Sequence, residues 1–163
     1  MKKIVIFDLD DTLYNEIDFV EGRKLKPYMG TELTLQKLCD MGCTLGMITN
    51  GDLNTQMTKL RKLKLTKWFS SNNIIYADRE EFMKPATGMY EQVMKLFPDS
   101  EYYYVGNNLE KDFFPANKLG WVTICMLDNG VHIHKQDFTM AKEYLPKFSI
   151  HGISEVIKLI ENE

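Results

Sequence analysis

Four apolar residues, Ile4-Val5-Ile6-Phe7, run straight into Asp8-Leu9-Asp10-Asp11-Thr12-Leu13. The apolar run reads as a buried strand. It ends in a cluster of acids, which is an expensive way to end a buried strand. Grouped carboxylates repel one another and lose hydration. In open α/β sheets the carboxyl ends of strands are where ligands bind. The cluster therefore points to a cation or to a chemical role at that strand end.

The rest of the chain sets this strand in a repeating pattern. Strands are predicted at 3–8, 44–49, 74–77, 102–106 and 122–127, and helices near 31–41, 53–65, 86–97, 110–119 and 153–161. Ser149-Ile150 suggests one more short strand. Strands alternating with helices through short connections predict an α/β three-layer sandwich, a parallel Rossmann-like sheet covered on both faces. Leu33, Leu35, Leu38 and Met41 form one helical stripe, and Gly120 marks the end of another helix. Val131-His132-Ile133-His134 alternates and predicts a short strand with His132 and His134 on one face. With no third ligand in view, the two histidines read as surface residues rather than a metal site.

A chain of 163 residues with 44% hydrophobic content suits one domain with a sizeable core. The net charge of -3 leaves no basic surplus for nucleic-acid binding. Arg61-Lys62-Leu63-Lys64, with Lys59 and Lys67, is the densest basic stretch and reads as a solvated helix face. Three cysteines, Cys39, Cys43 and Cys125, show no disulfide pattern, and Cys39 and Cys43 lack partners for zinc. Met1-Lys2-Lys3 precedes too short an apolar run for a signal peptide or a membrane span. A cytoplasmic protein without membrane partners is expected.

Further motifs follow the first in order. Thr44-Leu45-Gly46-Met47-Ile48 ends in Thr49-Asn50-Gly51. Met83-Lys84-Pro85 stands before a predicted helix that Pro85 is suited to open. Tyr102-Tyr103-Tyr104-Val105-Gly106 leads into Asn107-Asn108-Leu109-Glu110-Lys111-Asp112. Asp8-x-Asp10-x-Thr12 and these three segments resemble the four motifs of the haloacid dehalogenase (HAD) superfamily, over roughly residues 3 to 128. The resemblance implies the HAD-like fold. It also implies phosphomonoester hydrolysis through an aspartyl-phosphate, with Mg²⁺.

On that resemblance Asp8 is the nucleophile, and Asp10 is the general acid and then the general base. Thr49, Asn50 and Lys84 bind the substrate phosphate. Asp8, the backbone carbonyl of Asp10, Asn107 and Asp112 hold the metal, and Thr12 braces the loop. Asn107 departs from the pattern, which has an aspartate there. An amide oxygen can ligate Mg²⁺ but carries no formal charge, and a unit charge at about 4 Å near a surface is worth roughly 4 kcal/mol before desolvation. The superfamily places cap inserts after the first motif or between the second and third. Here only about twenty residues, Tyr14 to Leu33, fill the first point, and Asp52 to Met83 hold one helix and one strand. The expectation is one capless domain, 1–163, with a small flap at about 14–30.

An open site would admit a phosphorylated small molecule or a phosphorylated macromolecule. It is compatible with a homo-oligomer whose neighbour supplies the lid. Phe19, Tyr28, Met29, Phe82, Met83, Phe113 and Phe114 are candidates for its mouth, with core or ordinary surface as the blander reading. Two other readings stay open: a catalytically weakened phosphate-binding or interaction protein, and a phosphotransferase. Substrate identity and the role of 128–150 are not legible at this level.

Overall fold

The computed structural model describes all 163 residues. The strands are β1 (Lys2–Phe7), β2 (Thr44–Asn50), β3 (Ile74–Ala77), β4 (Ser100–Gly106), β5 (Val122–Met126) and β6 (Phe148–Ile150). The helices are α1 (Glu16–Val20), α2 (Thr31–Asp40), α3 (Leu53–Leu63), α4 (Gly88–Leu96), α5 (Phe113–Lys118) and α6 (Glu155–Asn162). The strands make one parallel sheet in the order β3-β2-β1-β4-β5-β6.

β1 is apolar at successive positions because both of its faces are covered. Val5 and Phe7 pack with Leu35 and Leu38 of α2, Leu60 and Leu63 of α3, and Val156 and Ile160 of α6. Ile4 and Ile6 point the other way, toward Met89, Tyr90 and Val93 of α4 and Phe113 and Ala116 of α5. These two cores make the three layers. Burial of each such side chain is worth about 1.5–3 kcal/mol.

The chain winds from β1 outward to β3, then crosses back to place β4 on the other flank of β1. The loops after β1 and β4 therefore part, and a crevice opens between them at the carboxyl end of the sheet. After the β1 loop come only the five-residue α1 and a short return in which Tyr14 bridges to Pro27. Among residues 14–30 there is no cap-sized insert.

Three elements differ from expectation. No strand forms at 131–134: the Asp128 carboxylate accepts from the Gly130 and His132 N–H groups, and Asp11 Oδ2 accepts from Ile133 N. Those donors curl the chain into a loop instead of pairing with a strand. α5 starts at Phe113 rather than near 110, because Asp112 bends the preceding turn back on itself. α4 starts at Gly88, and the Lys84–Pro85 peptide before it is cis.

Candidate active site

The cleft at the switch point is a cavity of ≈ 140 Å³. Asp8, Asp10, Glu16, Thr49, Asn50, Lys84, Asn107, Asn108, Lys111, Asp112 and His134 line it, and none of them is hydrophobic. All of the site residues expected from the sequence meet here. The apolar candidates for the mouth do not line it: Phe113 lies in the core, and Tyr28 and Met29 line a separate cavity.

The β1 loop is shaped by its own polar groups. Asp8 N donates to Val105 O at 2.8 Å, extending the β1–β4 pairing by one residue beyond the strand. Asp11 has a left-handed φ of 59°, a region that short polar side chains tolerate best. Its carboxylate is fully buried and accepts from Glu16 N and Ile133 N, both at 2.9 Å. One side chain thus ties the loop to α1 and to the 128–140 segment. Thr12, also buried, sets its hydroxyl 3.1 Å from the Asn107 amide.

Lys84 is the hub on the β4 side. Its ammonium is 3.1 Å from Asp8 Oδ1, 2.7 Å from Asp112 Oδ1 and 2.9 Å from the Tyr104 hydroxyl. Asn50 holds the Lys84 backbone, accepting from its N–H at 2.9 Å and donating to its carbonyl at 3.3 Å. The Asn50 amide is therefore committed to Lys84 although it lines the cleft. Asp112 Oδ2 accepts from Asn107 N and Asn108 N, each at 2.9 Å. Asp112 is consequently the brace of the 107–112 turn as well as a partner of Lys84. Gly106 makes this closeness possible: a Cβ there would lie 2.6 Å from Asp112 Oδ2.

Two buried carboxylates facing one ammonium leave negative charge uncompensated. Asp112 is held by two backbone N–H donors and by Lys84. Burial pushes the Asp8 carboxyl up to about 8, against Lys84, with Asp112 and Asp10 pushing it further. Burial works against the Lys84 ammonium, yet Asp112 and Asp8 hold its pKa above the ordinary value. Burial, then Asp10 and Asp11, raise Glu16 at the rim to about 7. A cation would compensate the surplus.

The donor set around Asp8 fits Mg²⁺. One atom of the Asn107 amide lies 3.0 Å from Asp8 Oδ2, 3.0 Å from the Asp10 carbonyl oxygen and 3.1 Å from Thr12 Oγ1. Turned with nitrogen inward, the amide donates to all three. Turned with oxygen inward, it converges with the Asp8 and Asp10 oxygens at separations close to the roughly 2.9 Å edge of an octahedral Mg²⁺ shell with 2.0–2.1 Å bonds. Asp8, the Asp10 carbonyl and Asn107 could therefore hold the ion.

Asp10 is served from the other flank. Tyr14 OH lies 2.5 Å from Asp10 Oδ1, Lys59 Nζ 2.9 Å from the same oxygen, and Gln56 Nε2 3.4 Å from Oδ2. Gln56 also donates to Thr49 Oγ1 at 2.5 Å. Sequence reading placed Lys59 on a solvated basic face. It is 5% exposed, and the correction has a helical cause. Gln56, Lys59, Leu60 and Leu63 share the stripe of α3 that faces the core. Two polar residues on an otherwise apolar stripe were the available signal.

The 128–140 segment borders the cleft. Gln136 Nε2 donates to Asn107 O at 2.8 Å and to Met126 O at 2.9 Å, and His134 reaches the cavity. His132 instead is buried beside a second cavity, so the two histidines do not share a face.

A doubly wound parallel sheet, with Asp8 and Asp10 after its central strand and a buried lysine between the flanking loops, defines the architecture of HAD-type proteins. The haloacid dehalogenase-like hydrolase family matches residues 19–126, more than half of the chain, and the chain belongs to it. The chain is 29% identical over 140 residues to the glyceraldehyde 3-phosphate phosphatase of Methanocaldococcus jannaschii, covering 85% of this chain and 58% of that protein. It is 31% identical over 102 residues to the protein of the same name from Methanopyrus kandleri, covering 61% and 43%. The chain therefore spans about half the length of these curated relatives. Among solved structures, a HAD phosphatase from Thermococcus onnurineus superposes with a TM-score of 0.76 at 21% identity, over 100% of this chain and 99% of that one. A magnesium-bound HAD hydrolase from Bacillus subtilis superposes with a TM-score of 0.71 at 14% identity, over 98% and 99%. No helix is long and apolar enough to cross a membrane.

Proposed function

We propose that the chain is a Mg²⁺-dependent phosphohydrolase that cleaves a phosphomonoester of a small polar alcohol through an aspartyl-phosphate on Asp8. The observation that carries this reading is the Asp8 carboxylate itself, its side chain 10% exposed at the end of the central strand, with Lys84 3.1 Å away and a cleft lined by no hydrophobic residue in front of it.

In this reading an Asp8 oxygen attacks phosphorus while the bond to the leaving oxygen breaks. Asp10 gives that oxygen a proton, then takes one from the water that hydrolyses the acyl-phosphate. Lys84 and Thr49 hold the phosphate oxygens, and Asn50 contributes by fixing Lys84. Bound Mg²⁺ would screen the mutual repulsion of carboxylate and phosphate. The direct ligands would be Asp8, the Asp10 carbonyl and Asn107, with Asp112 acting through the loop it braces. Glu16, Asn108, Lys111 and His134 offer charges and hydrogen bonds to a leaving group, and no hydrophobic residue lines the cleft. That lining and the named activity of the relatives make short-chain sugar phosphates, glyceraldehyde 3-phosphate among them, the first substrates to try.

The test is phosphate release from a panel of phosphomonoesters with and without Mg²⁺, with Asp8→Asn as control. Mg²⁺-dependent release lost in the control supports the proposal, and release that persists in Asp8→Asn removes the mechanism. Asn107 favours one second reading. With its nitrogen turned toward Asp8 and Asp10, the amide closes the metal position, and the chain would bind phosphate without turnover. Phosphate binding with no release at any Mg²⁺ concentration would select that reading.

A further inference from the structure

We infer that Lys59, working with Gln56 on the same face of α3, is a positioning residue for the Asp10 carboxylate. This rests on the phosphatase reading above but concerns a residue outside the four motifs. The Lys59 ammonium is 2.9 Å from Asp10 Oδ1, and 6% of its side chain is exposed. It also lies 4.6 Å from the centroid of the Phe19 ring, so α1 covers it. A buried ammonium is costly to desolvate, and a packed apolar side chain of similar volume is often the more stabilising choice. The pairing with Asp10 gives this lysine a reason beyond stability.

Asp10 needs such support. Its side chain is 20% exposed at the edge of the cleft. Tyr14 meets Oδ1 at 2.5 Å, and Gln56 meets Oδ2 at 3.4 Å while donating to Thr49. Lys59 adds the only cation within hydrogen-bond distance of Asp10. The α3 pair thus links the phosphate-side hydroxyl of Thr49 to the proton-transfer carboxylate. Lys59 does not line the cavity, so its influence on the reaction passes through Asp10 and not through substrate contact. A displacement of about 1 Å at such a group can cost on the order of 10²-fold in rate.

The experiment compares wild type, Lys59→Met and Lys59→Arg on two substrates. Glycerol 3-phosphate leaves as an alkoxide that must be protonated, whereas 4-nitrophenyl phosphate leaves as a stabilised anion. Lys59→Met is expected to lower kcat on glycerol 3-phosphate by about 10²-fold, the scale of lost general-acid catalysis. It should change kcat on 4-nitrophenyl phosphate by less than about 10-fold and leave KM for both nearly unchanged. Lys59→Arg should restore most of the loss. Equal losses on both substrates, or none on either, overturn the inference. A crystal structure of Lys59→Met supplies a readout independent of turnover: the Asp10 carboxylate should leave the Tyr14 hydroxyl. If wild type releases phosphate from neither substrate, the phosphatase reading is judged on the wider panel above, apart from this inference. The Asp10 position then decides the role of Lys59, with an unmoved carboxylate overturning it.

Discussion

The two aspartates of the first loop stand two residues apart, yet opposite halves of the molecule serve them. Asp8 has 10% of its side chain exposed and faces Lys84, Asp112 and Asn107, from the segments that flank α4 and β4. Asp10 has 20% of its side chain exposed and faces Tyr14, Gln56 and Lys59, from the flap and α3. The first environment is the more buried and sets two carboxylates against one ammonium. The second is a set of donors at the water boundary, with one ammonium on the Asp10 carboxylate. Under the proposed mechanism the first setting suits a nucleophile, which gains from desolvation and a fixed line of attack. The second suits a group that must exchange protons with water and with a leaving oxygen.

The largest effect expected is at Asp8. Asp8→Asn should lower turnover by on the order of 10⁴-fold or more, read from phosphate release. The same variant tests the charge surplus. The folded-state carboxyl is raised to about 8 from 3.8, so between these values the native state keeps a proton that the unfolded state has lost. Native stability conferred by this group is therefore full below pH 4 and is lost as pH rises toward 8. With metal chelated, wild type should lose stability relative to Asp8→Asn across that window in urea titrations. A constant difference would show that Asp8 is ionised throughout.

Lys84→Met comes next. It leaves Asp8 and Asp112 buried without their ammonium, and unfolding free energy should drop by about 3–5 kcal/mol at neutral pH. A loss under about 1 kcal/mol would mean that both carboxylates are neutral or hydrated there.

Asn107→Asp should sharpen the contrast by deepening the negative side. Mg²⁺ affinity is expected to tighten by about 10-fold or more, the equivalent of ~1.4 kcal/mol out of the roughly 4 kcal/mol a unit charge offers. Titration calorimetry on the two forms measures it, and unchanged affinity would show that the residue does not face the ion.

The smallest effect lies in the loop above Asp10. Burial lowers the His132 pKa below 6.5, and Lys135 works in the same direction, while Asp11 and Asp128 oppose them. Below pH 6.5 the unfolded chain takes up the proton first, so stability supplied by neutral His132 is present above that pH and lost as pH falls through it. His132→Phe should remove this acid-side loss in thermal melts between pH 5 and 7, with little change at pH 8. An identical acid-side loss in the variant would show that His132 is not the group titrating.

Much of the fold was legible because the relevant signals are local. The unbroken apolar run of β1, the strand–helix alternation and the stop at Gly120 each express short-range preferences, and Phe148–Ile150 appears where the last strand was expected. The motif residues converge because most lie at strand ends, with Lys84 in the loop before α4, and the sheet topology gathers those ends and loops. Lys59 and the 128–140 loop escaped for the opposite reason. A lysine in a basic run looks solvated until the docking of α3 decides which face is buried. Val131–His134 alternates like a strand until Asp11 and Asp128 draw its N–H groups into a loop.

The sequence by itself determined the sheet class, the position of the acid cluster after β1 and the chemical vocabulary of the site. Hydrophobic period and turn residues act over a few positions, and they sufficed for that. Only the tertiary structure decided which partner each aspartate received, because those partners are up to 104 positions away (Asp8 to Asp112) and meet only when two cores close on one sheet. It also decided that Lys84 must serve two carboxylates and that Lys59 must serve one. Those assignments follow from distance and desolvation, neither of which exists before the chain is folded.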